Sequence, residues 1–260
     1  MIISIVTPVL NGARTIGRTL KSLSEQTGDF EHIVMDGGST DETEAIVRRY
    51  EAKYPVQWHT QPDKTLYEGV WNGMQRTKGE IMGYINADDF YLPWTLATVR
   101  HIFDQNPGVD WITGIPSWYF EERLVAMTSP IAPVWPQWAI RRGLASTRLL
   151  GFPQQESIFW RRTLWEKADP EKLLKSHRYA ADYHLWRRFA EFTPLRTVNT
   201  VFACFTISQN QISGKFRSKY LEECGIIGDS YEMGLPQRLL SRLIFNLSFN
   251  QILKVTTLSR

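Results

Sequence analysis

The sequence predicts an α/β fold in which a mostly parallel sheet is flanked by helices, and three observations support this prediction. Strand-like and helix-like segments alternate through the first hundred residues, which is the pattern of β-α-β units. A chain of 260 residues is long enough to bury a large core. The apolar segment 80–87 ends in two adjacent carboxylates, Asp88 and Asp89, and ligands of open α/β sheets bind at such carboxyl ends of strands.

The first half of the chain supplies strands and helices in alternation. Strands are predicted at residues 2–7, 30–35, 56–60, 80–87 and 109–113. The first predicted helix carries Ile16, Leu20 and Leu23 on one face, the second opens after Asp36, and two more span residues 66–77 and 93–105. Asn11 is predicted to cap the first helix, and Ser39 with Glu42 to form a capping box at the second.

The pattern is looser in the second half of the chain. Segment 117–127 predicts a hairpin or two edge strands, while segment 130–148, rich in Pro, Trp and Arg, predicts an irregular, partly mobile excursion over the site. A strand at 157–161, a helix at 181–191 and a strand at 198–206 follow, and the chain from Gly214 onward is predicted to be helical. Most of the ten Trp residues are expected in the core.

The C-terminal tail has no acidic residue after Glu232, although basic residues continue to Arg260. A basic amphipathic helix can lie in the interface of an anionic membrane, so peripheral membrane contact is one interpretation of the tail. The alternative is a helix packed on the sheet or against a second copy of the chain. No internal repeat or low-complexity linker divides the sequence, which predicts one domain with a C-terminal extension.

Charge and cysteine content narrow the range of partners. The formal net charge is only +3, with scattered basic residues, so DNA or RNA is not expected as a partner. Cys204 and Cys224 lack metal-ligand spacing and the density of a disulfide scaffold, which is typical of a reducing cytoplasm. The first residues form an apolar strand without the features of a signal peptide, and no apolar run reaches about 18 residues. The expected location is the cytoplasm, or the inner face of the plasma membrane if the tail binds lipid.

Asp88 and Asp89 form the centre of the predicted site. Two neighbouring carboxylates at a strand end repel each other and lose hydration, and a hard divalent cation with oxygen ligands is the simplest counter-charge. A phosphate ester is then the natural third partner, so this strand end predicts a nucleotide-phosphate site. The alternative is an acidic turn that caps the helix beginning near Pro93.

The loop after the first strand, residues 7–12, has neither the three glycines of a dinucleotide-binding loop nor the sequence of a P-loop. Redox enzymes and kinase-like phosphotransferases are therefore disfavoured. A nucleotide held by side chains remains, in which Asp36 accepts a hydrogen bond from a base N–H and Asp88 accepts one from the ribose. The alternative for Asp36 is helix capping.

Three motifs, in this order and spacing, resemble those of family 2 glycosyltransferases with the GT-A fold. They are Ser-Ile-Val-Thr-Pro-Val-Leu-Asn at 4–11, Ile-Val-Met-Asp-Gly-Gly-Ser-Thr-Asp at 33–41 and Asn-Ala-Asp-Asp at 86–89. The resemblance covers about residues 1–210 and implies a Rossmann-like, mostly parallel sheet flanked by helices. It implies a nucleotide-sugar-binding half at 1–114, an acceptor-binding half at 115–210, and a C-terminal helical extension at 211–260.

The resemblance also implies which residues bind the donor and the metal. The implied donor-binding residues are Thr7, Pro8, Asn11, Asp36, Asp63, Lys64 and Asp88. Of these, Asp63 and Lys64 belong to segment 62–73, which is similar to the stretch between the family's second and fourth strands. Asp89 is the implied ligand of a Mn²⁺ or Mg²⁺ ion on the donor diphosphate.

The segment 179–188 resembles the acceptor-side motif of the family, which implies that Asp182 is the catalytic base. Inverting transfer needs a carboxylate near the acceptor hydroxyl, on the sugar face opposite the leaving diphosphate. The family often has Glu before this Asp, whereas this chain has Ala181, and the alternative for Asp182 is an N-cap on a surface helix. Gln155, in the segment 152–159, is implied to bind an acceptor hydroxyl, with a purely structural role as the alternative.

The combined expectation is an inverting, metal-dependent glycosyltransferase that moves one sugar from a nucleotide-sugar, with a UDP-sugar as the expected donor, to a saccharide or lipid-linked acceptor. Such transfer would serve cell-surface polysaccharide biosynthesis. The Gln-x-x-Arg-Trp motif of processive synthases is absent near Asp182, which favours a single addition. One alternative is a catalytically silent nucleotide-sugar-binding scaffold, which would have no need of Asp88, Asp89 and Asp182. Another is a nucleotidyltransferase, which needs a Gly-rich, Lys-bearing loop that residues 8–12 do not supply.

Overall fold

A central eight-stranded sheet and a second sheet of four strands organise the protein. The structure, a computed structural model, describes residues 1–120, 123–127, 133–145, 151–207, 216–225 and 252–253. The strands are β1 (Ile3–Val9), β2 (Phe30–Asp36), β3 (Val56–Thr60), β4 (Ile81–Tyr84), β5 (Phe90–Tyr91), β6 (Trp111–Thr113), β7 (Ser117–Phe120), β8 (Arg123–Met127), β9 (Ile158–Arg161), β10 (Arg196–Val198), β11 (Ala203–Thr206) and β12 (Ile252–Leu253). The helices are α1 (Ile16–Ser24), α2 (Thr43–Arg48), α3 (Leu66–Met74), α4 (Thr95–Gln105), α5 (Gln137–Arg141), α6 (Arg162–Ala168), α7 (Glu171–Ser176), α8 (Ala181–Phe189) and α9 (Arg217–Glu223).

The central sheet has the strand order β12-β10-β6-β9-β4-β1-β2-β3. Strand β1 is parallel to both of its neighbours, β2 and β4, whereas β9 is antiparallel to both β4 and β6. All seven residues of β1 are buried, as expected for a parallel strand covered on both faces. The predicted α/β fold, with a mostly parallel sheet flanked by helices, is confirmed.

Helices cover both faces of the central sheet and form two hydrophobic clusters. One cluster packs α1 and α4 against the sheet through Ile16, Leu20, Leu23, Leu96, Val99, Ile102 and Phe103. The other packs α3, α6 and α8 through Val70, Met74, Leu164, Trp165, Trp186 and Phe189. Each fully buried side chain of this size stabilises the fold by about 1.5–3 kcal/mol. Five of the ten Trp residues, Trp111, Trp135, Trp160, Trp165 and Trp186, are buried, whereas Trp58, Trp71 and Trp118 are partly buried and Trp94 and Trp138 are exposed.

Both capping predictions are wrong, because the two loops involved bind each other instead. The N-cap of α1 is Thr15, and Asn11, at φ 53°, accepts a hydrogen bond from the Thr40 N–H over 2.9 Å through Oδ1. Helix α2 begins after Glu42 without a side-chain cap, and the Ser39 hydroxyl accepts from the Asn11 N–H over 2.8 Å. Since β1 and β2 are neighbours, their following loops lie within hydrogen-bonding distance, and these contacts replace local caps.

The predicted hairpin at 117–127 is confirmed, since β7 and β8 pair antiparallel. The prediction of an irregular excursion at 130–148 is wrong for the described residues 133–145, which contain α5. The side chains of Val134, Trp135, Ala139 and Ile140 are buried there. A helix of five residues shows too little periodicity to be recognised, especially after several prolines. The remaining residues, 130–132 and 146–148, lie outside the described part of the chain.

The predicted strand at 198–206 is in fact two strands in two sheets. Strand β10 belongs to the central sheet, whereas β11 lies between β5 and β7 in the second sheet. The predicted helical tail is confirmed at α9 and is wrong at β12, which pairs in parallel with β10; residues 226–251 lie outside the described part. No helix within the described ranges is long and apolar enough to span a membrane. The domain boundary at residue 210 stays a prediction.

Candidate active site

The carboxyl ends of β1, β2 and β4 meet at one edge of the central sheet. Val9 at the end of β1 lies opposite Asp36 at the end of β2 in the parallel register. A Cβ placed on Gly12, in the loop after β1, would lie 3.6 Å from the Cβ of Ala87. The loop after β1 therefore reaches the residue before Asp88, and the structure brings the ends of all three strands together.

Asp36 and Asp63 form an acidic recess at the end of β2. The buried Asp36 accepts a hydrogen bond from the Ser39 N–H over 2.9 Å. The Asp63 carboxylate lies over two glycines, because a Cβ on Gly37 would be 3.1 Å from its Oδ1 and a Cβ on Gly69 would be 2.8 Å from its Oδ2. Burial, together with nearby carboxylates that include Asp36, raises the pKa of Asp63 to about 6. Hydrogen-bond donors of a ligand would stabilise the ionised form of Asp63.

The Thr7 side chain points into the protein rather than into this recess. Thr7 is fully buried, and its hydroxyl lies 2.9 Å from Nε2 of His32, whose Nδ1 lies 2.9 Å from the Tyr54 hydroxyl. Burial lowers the pKa of His32 to about 3, so the imidazole is neutral at pH 7. The Thr7 hydroxyl is thus directed away from the recess, and the prediction that Thr7 helps to hold the nucleoside would rest on its backbone.

Three other residues that are predicted to bind the nucleotide-sugar donor lie around the same edge of the sheet. Pro8 packs beneath α3, since a Cβ on Gly69 would lie 3.4 Å from the Cβ of Pro8. Asn11 is exposed, but its side-chain oxygen is already bonded to the Thr40 N–H. Lys64 is exposed at the entrance to α3, where its backbone N–H donates to the Glu68 carboxylate over 2.9 Å.

Asp88 and Asp89 have different environments. Asp88 is partly exposed, and burial raises its pKa while the charge of Arg18 opposes that rise. Asp89 is fully buried, accepts from the Thr206 N–H over 2.8 Å, and receives the Thr19 hydroxyl on its backbone carbonyl over 2.7 Å. Burial raises the pKa of Asp89 well above its usual value. This geometry makes Asp89 a link between the end of β4 and β11, and leaves Asp88 as the accessible carboxylate.

The residues around Asp88 are suited to a divalent cation that is also coordinated by a phosphate group of the substrate. Three buried oxygens, Asn86 Oδ1, Asp89 Oδ2 and Glu156 Oε1, have no hydrogen-bond partner among the described residues. Within that same part of the chain, no group of three or more His, Cys, Asp or Glu side chains is arranged to hold a metal. Mg²⁺ commonly uses one or two carboxylates together with substrate phosphates, so Asp88 and a diphosphate would suffice.

The Gln155 side chain lies against the end of β4. It is buried, its Oε1 accepts from Asn86 Nδ2 over 3.1 Å, and its Nε2 donates to the Tyr84 carbonyl over 2.8 Å. Both ends of the amide are thus engaged with the strand end that leads to Asp88. These contacts agree with the structural alternative for Gln155, and its contact with an acceptor sugar stays a prediction.

Asp182 lies in the first turn of α8, after the N-cap residue Ala180, so it is not itself the N-cap. It is partly exposed, and its Oδ1 accepts from the Tyr183 N–H over 2.8 Å. The Tyr67 hydroxyl lies 3.0 Å from the same oxygen and 3.1 Å from the Tyr179 carbonyl. Because a hydroxyl has one proton, Tyr67 donates to one of these two acceptors at a time.

Burial raises the pKa of Asp182 to about 6. Hydrogen bonds from the Tyr183 N–H and from the hydroxyls of Tyr67 and Tyr220 oppose that rise by stabilising the carboxylate. A carboxylate with this pKa is ionised at pH 7 and is basic enough to accept a proton. Its properties are those of a general base.

A sequence model described as Glycosyl transferase family 2 matches residues 4–185. This chain belongs to glycosyl transferase family 2. A relative from Mycobacterium bovis, a PGL/p-HBAD biosynthesis glycosyltransferase, is 33% identical over 115 residues, which is 43% of the chain and 45% of the relative. The chain therefore matches less than half the length of that relative.

Solved structures share the fold of this family 2 chain at low sequence identity. Staphylococcus aureus TarS (residues 1–349) superposes with a TM-score of 0.65 at 17% identity, covering 96% of this chain and 74% of TarS. The mannosyltransferase PcManGT from Pyrobaculum calidifontis, solved with GDP-Man and Mn²⁺, has a TM-score of 0.61 at 17% identity, covering 95% of this chain and 70% of PcManGT. These similarities confirm the predicted GT-A fold.

Sequence reasoning missed several residues of this family 2 site. Glu156 is the clearest, since its side chain is almost fully buried next to Gln155. Burial raises the pKa of Glu156 to about 8, and the charges of Asp88 and Asp182 add to the rise. The Glu156 carboxyl group therefore interacts electrostatically with both of these residues. An ionisable residue at the entrance to the apolar strand β9 was a signal that could have identified it. Tyr67 and Tyr220 carry no comparable signal.

Replacing Glu156 with Gln is expected to make the metal-free protein more stable than the wild type at about pH 8 and equally stable near pH 4.5. The pKa of Glu156 rises from 4.5 to about 8 on folding, so the wild type loses stability as pH rises through this window, in which the unfolded chain ionises first. Each pH unit is worth up to about 1.4 kcal/mol. Urea unfolding of both proteins at these two pH values measures the difference, and parallel pH profiles would contradict the prediction.

Proposed function

We propose that this chain is an inverting glycosyltransferase that moves one sugar from a nucleotide-sugar to a hydroxyl group of an acceptor. The observation that carries the proposal is that α3 connects the acidic recess to Asp182. The Asp63 carboxylate lies against Gly69 of α3, and Tyr67, two residues earlier in the same helix, reaches Asp182 with its hydroxyl. Helix α3 therefore contacts both the edge of the sheet proposed to bind the sugar donor and the residue proposed to accept the proton.

The donor end would be recognised by Asp36 and Asp63, whose carboxylates accept hydrogen bonds from N–H and O–H groups of a nucleoside. TarS has been crystallised with UDP-GlcNAc and PcManGT with GDP-Man and Mn²⁺, which supports a nucleotide-sugar donor here. We propose a UDP-sugar as the first choice. A bound Mn²⁺ or Mg²⁺ would be held by Asp88 and would neutralise charge on the leaving diphosphate. Asp89 would act as a structural link through its Oδ1, and its Oδ2, which has no partner among the described residues, would accept from water on the ion rather than bind the ion directly.

The acceptor end would be served by Asp182. Its carboxylate would take the proton of the acceptor hydroxyl as that oxygen bonds to the anomeric carbon and the bond from this carbon to the diphosphate oxygen breaks. A positioned general base contributes about 10²- to 10⁴-fold to such a step. We propose a saccharide or a lipid-linked saccharide as the acceptor, as in cell-surface polysaccharide biosynthesis. Peripheral membrane contact through the basic tail remains a proposal.

A panel of UDP-sugars and GDP-sugars, each with and without Mn²⁺, tests this function by thermal unfolding. One donor should raise the unfolding temperature by about 5–10 °C only when Mn²⁺ is present, because a ligand at 100 times its Kd stabilises the folded state by about 2.7 kcal/mol. ATP with Mn²⁺ is the matched control and should have little effect. An equal shift with ATP, or no shift with any nucleotide-sugar, would contradict a donor site at this edge.

A further inference from the structure

We infer that helix α9, from the C-terminal extension, completes the catalytic side of the site, and that Glu223 is a positioning residue for Asp182. The inference rests on the proposed function, because the position of Asp182 matters for catalysis only if the chain transfers a sugar. Nothing in the sequence pattern indicates such a role, since residues 217–223 are predicted there only as part of a helical tail that begins at Gly214.

The main observation is that one carboxylate holds three consecutive backbone N–H groups ahead of α8. Glu223 accepts from the N–H groups of Arg178 over 3.0 Å, Tyr179 over 2.8 Å and Ala180 over 2.8 Å. Hydrogen bonds to an ionised acceptor are about twice as strong as neutral ones. A carboxylate at a helix N-terminus also interacts favourably with the helix dipole. Glu223 therefore fixes the segment from which the Asp182 turn begins.

A second set of contacts joins α9 to the same turn. The Tyr220 hydroxyl lowers the pKa of Asp182 by stabilising its ionised form, and the Glu223 carbonyl lies 2.8 Å from Nε2 of His184, two residues after Asp182 in α8. The Tyr220 ring packs edge-on against Phe152, with ring centroids 5.2 Å apart. Helix α9 is thus anchored on both sides of the residue proposed as the base.

Asp182 is consequently held between two phenols from distant parts of the chain. Tyr67 approaches it from α3 and Tyr220 from α9, and each stabilises the ionised carboxylate. The titratable groups that face Asp182 from the surrounding elements are Tyr67, Tyr84, Glu156, Tyr220 and Cys224. If the hydrogen bonds of the Glu223 carboxylate are weakened, the N–H groups of residues 178–180 can bond to water instead, because Arg178 is exposed. The fold would survive, but the base would no longer be fixed.

The test compares Glu223→Gln with Glu222→Gln in the full-length chain. Glu222 is the neighbouring, exposed residue, and no hydrogen bond joins its carboxylate to the described residues, so it is a matched control. In Glu223→Gln, the amides of 178–180 should exchange hydrogen at least about 10-fold faster, a loss of about 1.4 kcal/mol in protection. A misplaced catalytic group lowers kcat by about 100-fold. The donor KM and the Mn²⁺-dependent thermal shift should stay within about 2-fold of wild type, as expected when transition-state interactions alone are lost.

Tyr220→Phe supplies a second variant in case Glu223→Gln folds poorly. It removes the hydroxyl that lowers the pKa of Asp182, so the acidic limb of the kcat profile should move to higher pH. Unchanged amide exchange and unchanged kcat in Glu223→Gln would overturn the inference, as would an unmoved acidic limb in Tyr220→Phe. Wild-type protein that exchanges normally but transfers no sugar would instead overturn the proposed function. In that event Glu223 would have no catalytic group to position. Faster amide exchange at residues 178–180 in Glu223→Gln than in wild type would then still show that the Glu223 carboxylate holds this segment.

Discussion

Replacing Asp182 with Asn is expected to lower kcat by about 10²- to 10⁴-fold while the affinity for the nucleotide-sugar is unchanged. Asn has nearly the same shape, and its Oδ1 can still accept from the Tyr183 N–H, which is 2.8 Å from Asp182 Oδ1 in the wild type. The variant loses only the ability to take a proton from the acceptor hydroxyl. Initial transfer rates and calorimetric titration with the donor measure the two quantities separately.

The pH dependence of the same pair provides a further check. Because the pKa of Asp182 is raised to about 6, wild-type kcat should fall as pH drops through that value, where the base becomes protonated. The residual activity of Asp182→Asn should lack this limb. Asp169→Asn, at an exposed left-handed position where Asn is tolerated, is the matched control and should behave like wild type. Near-normal turnover by Asp182→Asn would remove the base assignment.

Replacing Asp88 with Asn is expected to weaken Mn²⁺ binding in the presence of the donor by at least about 10-fold, whereas Asp89→Asn should leave it nearly unchanged. Asp88 is the partly exposed carboxylate, while Asp89 is fully buried and bonded to the Thr206 N–H. An Asn at position 89 can still accept that hydrogen bond. Mn²⁺ titration followed by electron paramagnetic resonance gives the affinity directly, without relying on turnover.

If Asp89→Asn weakened Mn²⁺ binding and Asp88→Asn did not, the metal would be assigned to Asp89, as the sequence resemblance implies. The unfolding temperature of the metal-free, donor-free protein serves as the folding control for both variants. If that control fails for Asp89→Asn alone, its carboxylate is needed for the fold, which agrees with its contact to β11.

The strands and the site edge were predictable because their signals are local. Alternating apolar segments predict β1 to β4, and parallel pairing then places Asp36 and Asp88 at one edge. The orientation of Asp89 was not predictable, because it depends on Thr206, 117 residues further along the chain. Adjacent residues after a strand point in different directions, and no local pattern says which one faces solvent.

Contacts between distant segments account for the other missed features. Tyr67 and Asp182 are 115 residues apart, and Glu223 lies 43 residues beyond Ala180. Gln155 belongs to a segment whose resemblance implies an acceptor contact, yet its amide is taken up by Asn86 and Tyr84. A buried amide and a sugar-binding amide look alike in sequence, and only the surrounding backbone distinguishes them.

Strand β12 has a consequence for how far the chain can be shortened. Its two residues pair with Thr197 and Val198 of β10, which makes β10 an inner strand of the central sheet. If the chain were cut after residue 225, β10 would become an edge strand with unpaired N–H and C=O groups. Such edge strands can pair with strands of other molecules. A shortened protein would therefore tend to self-associate even with every residue of its reaction centre in place.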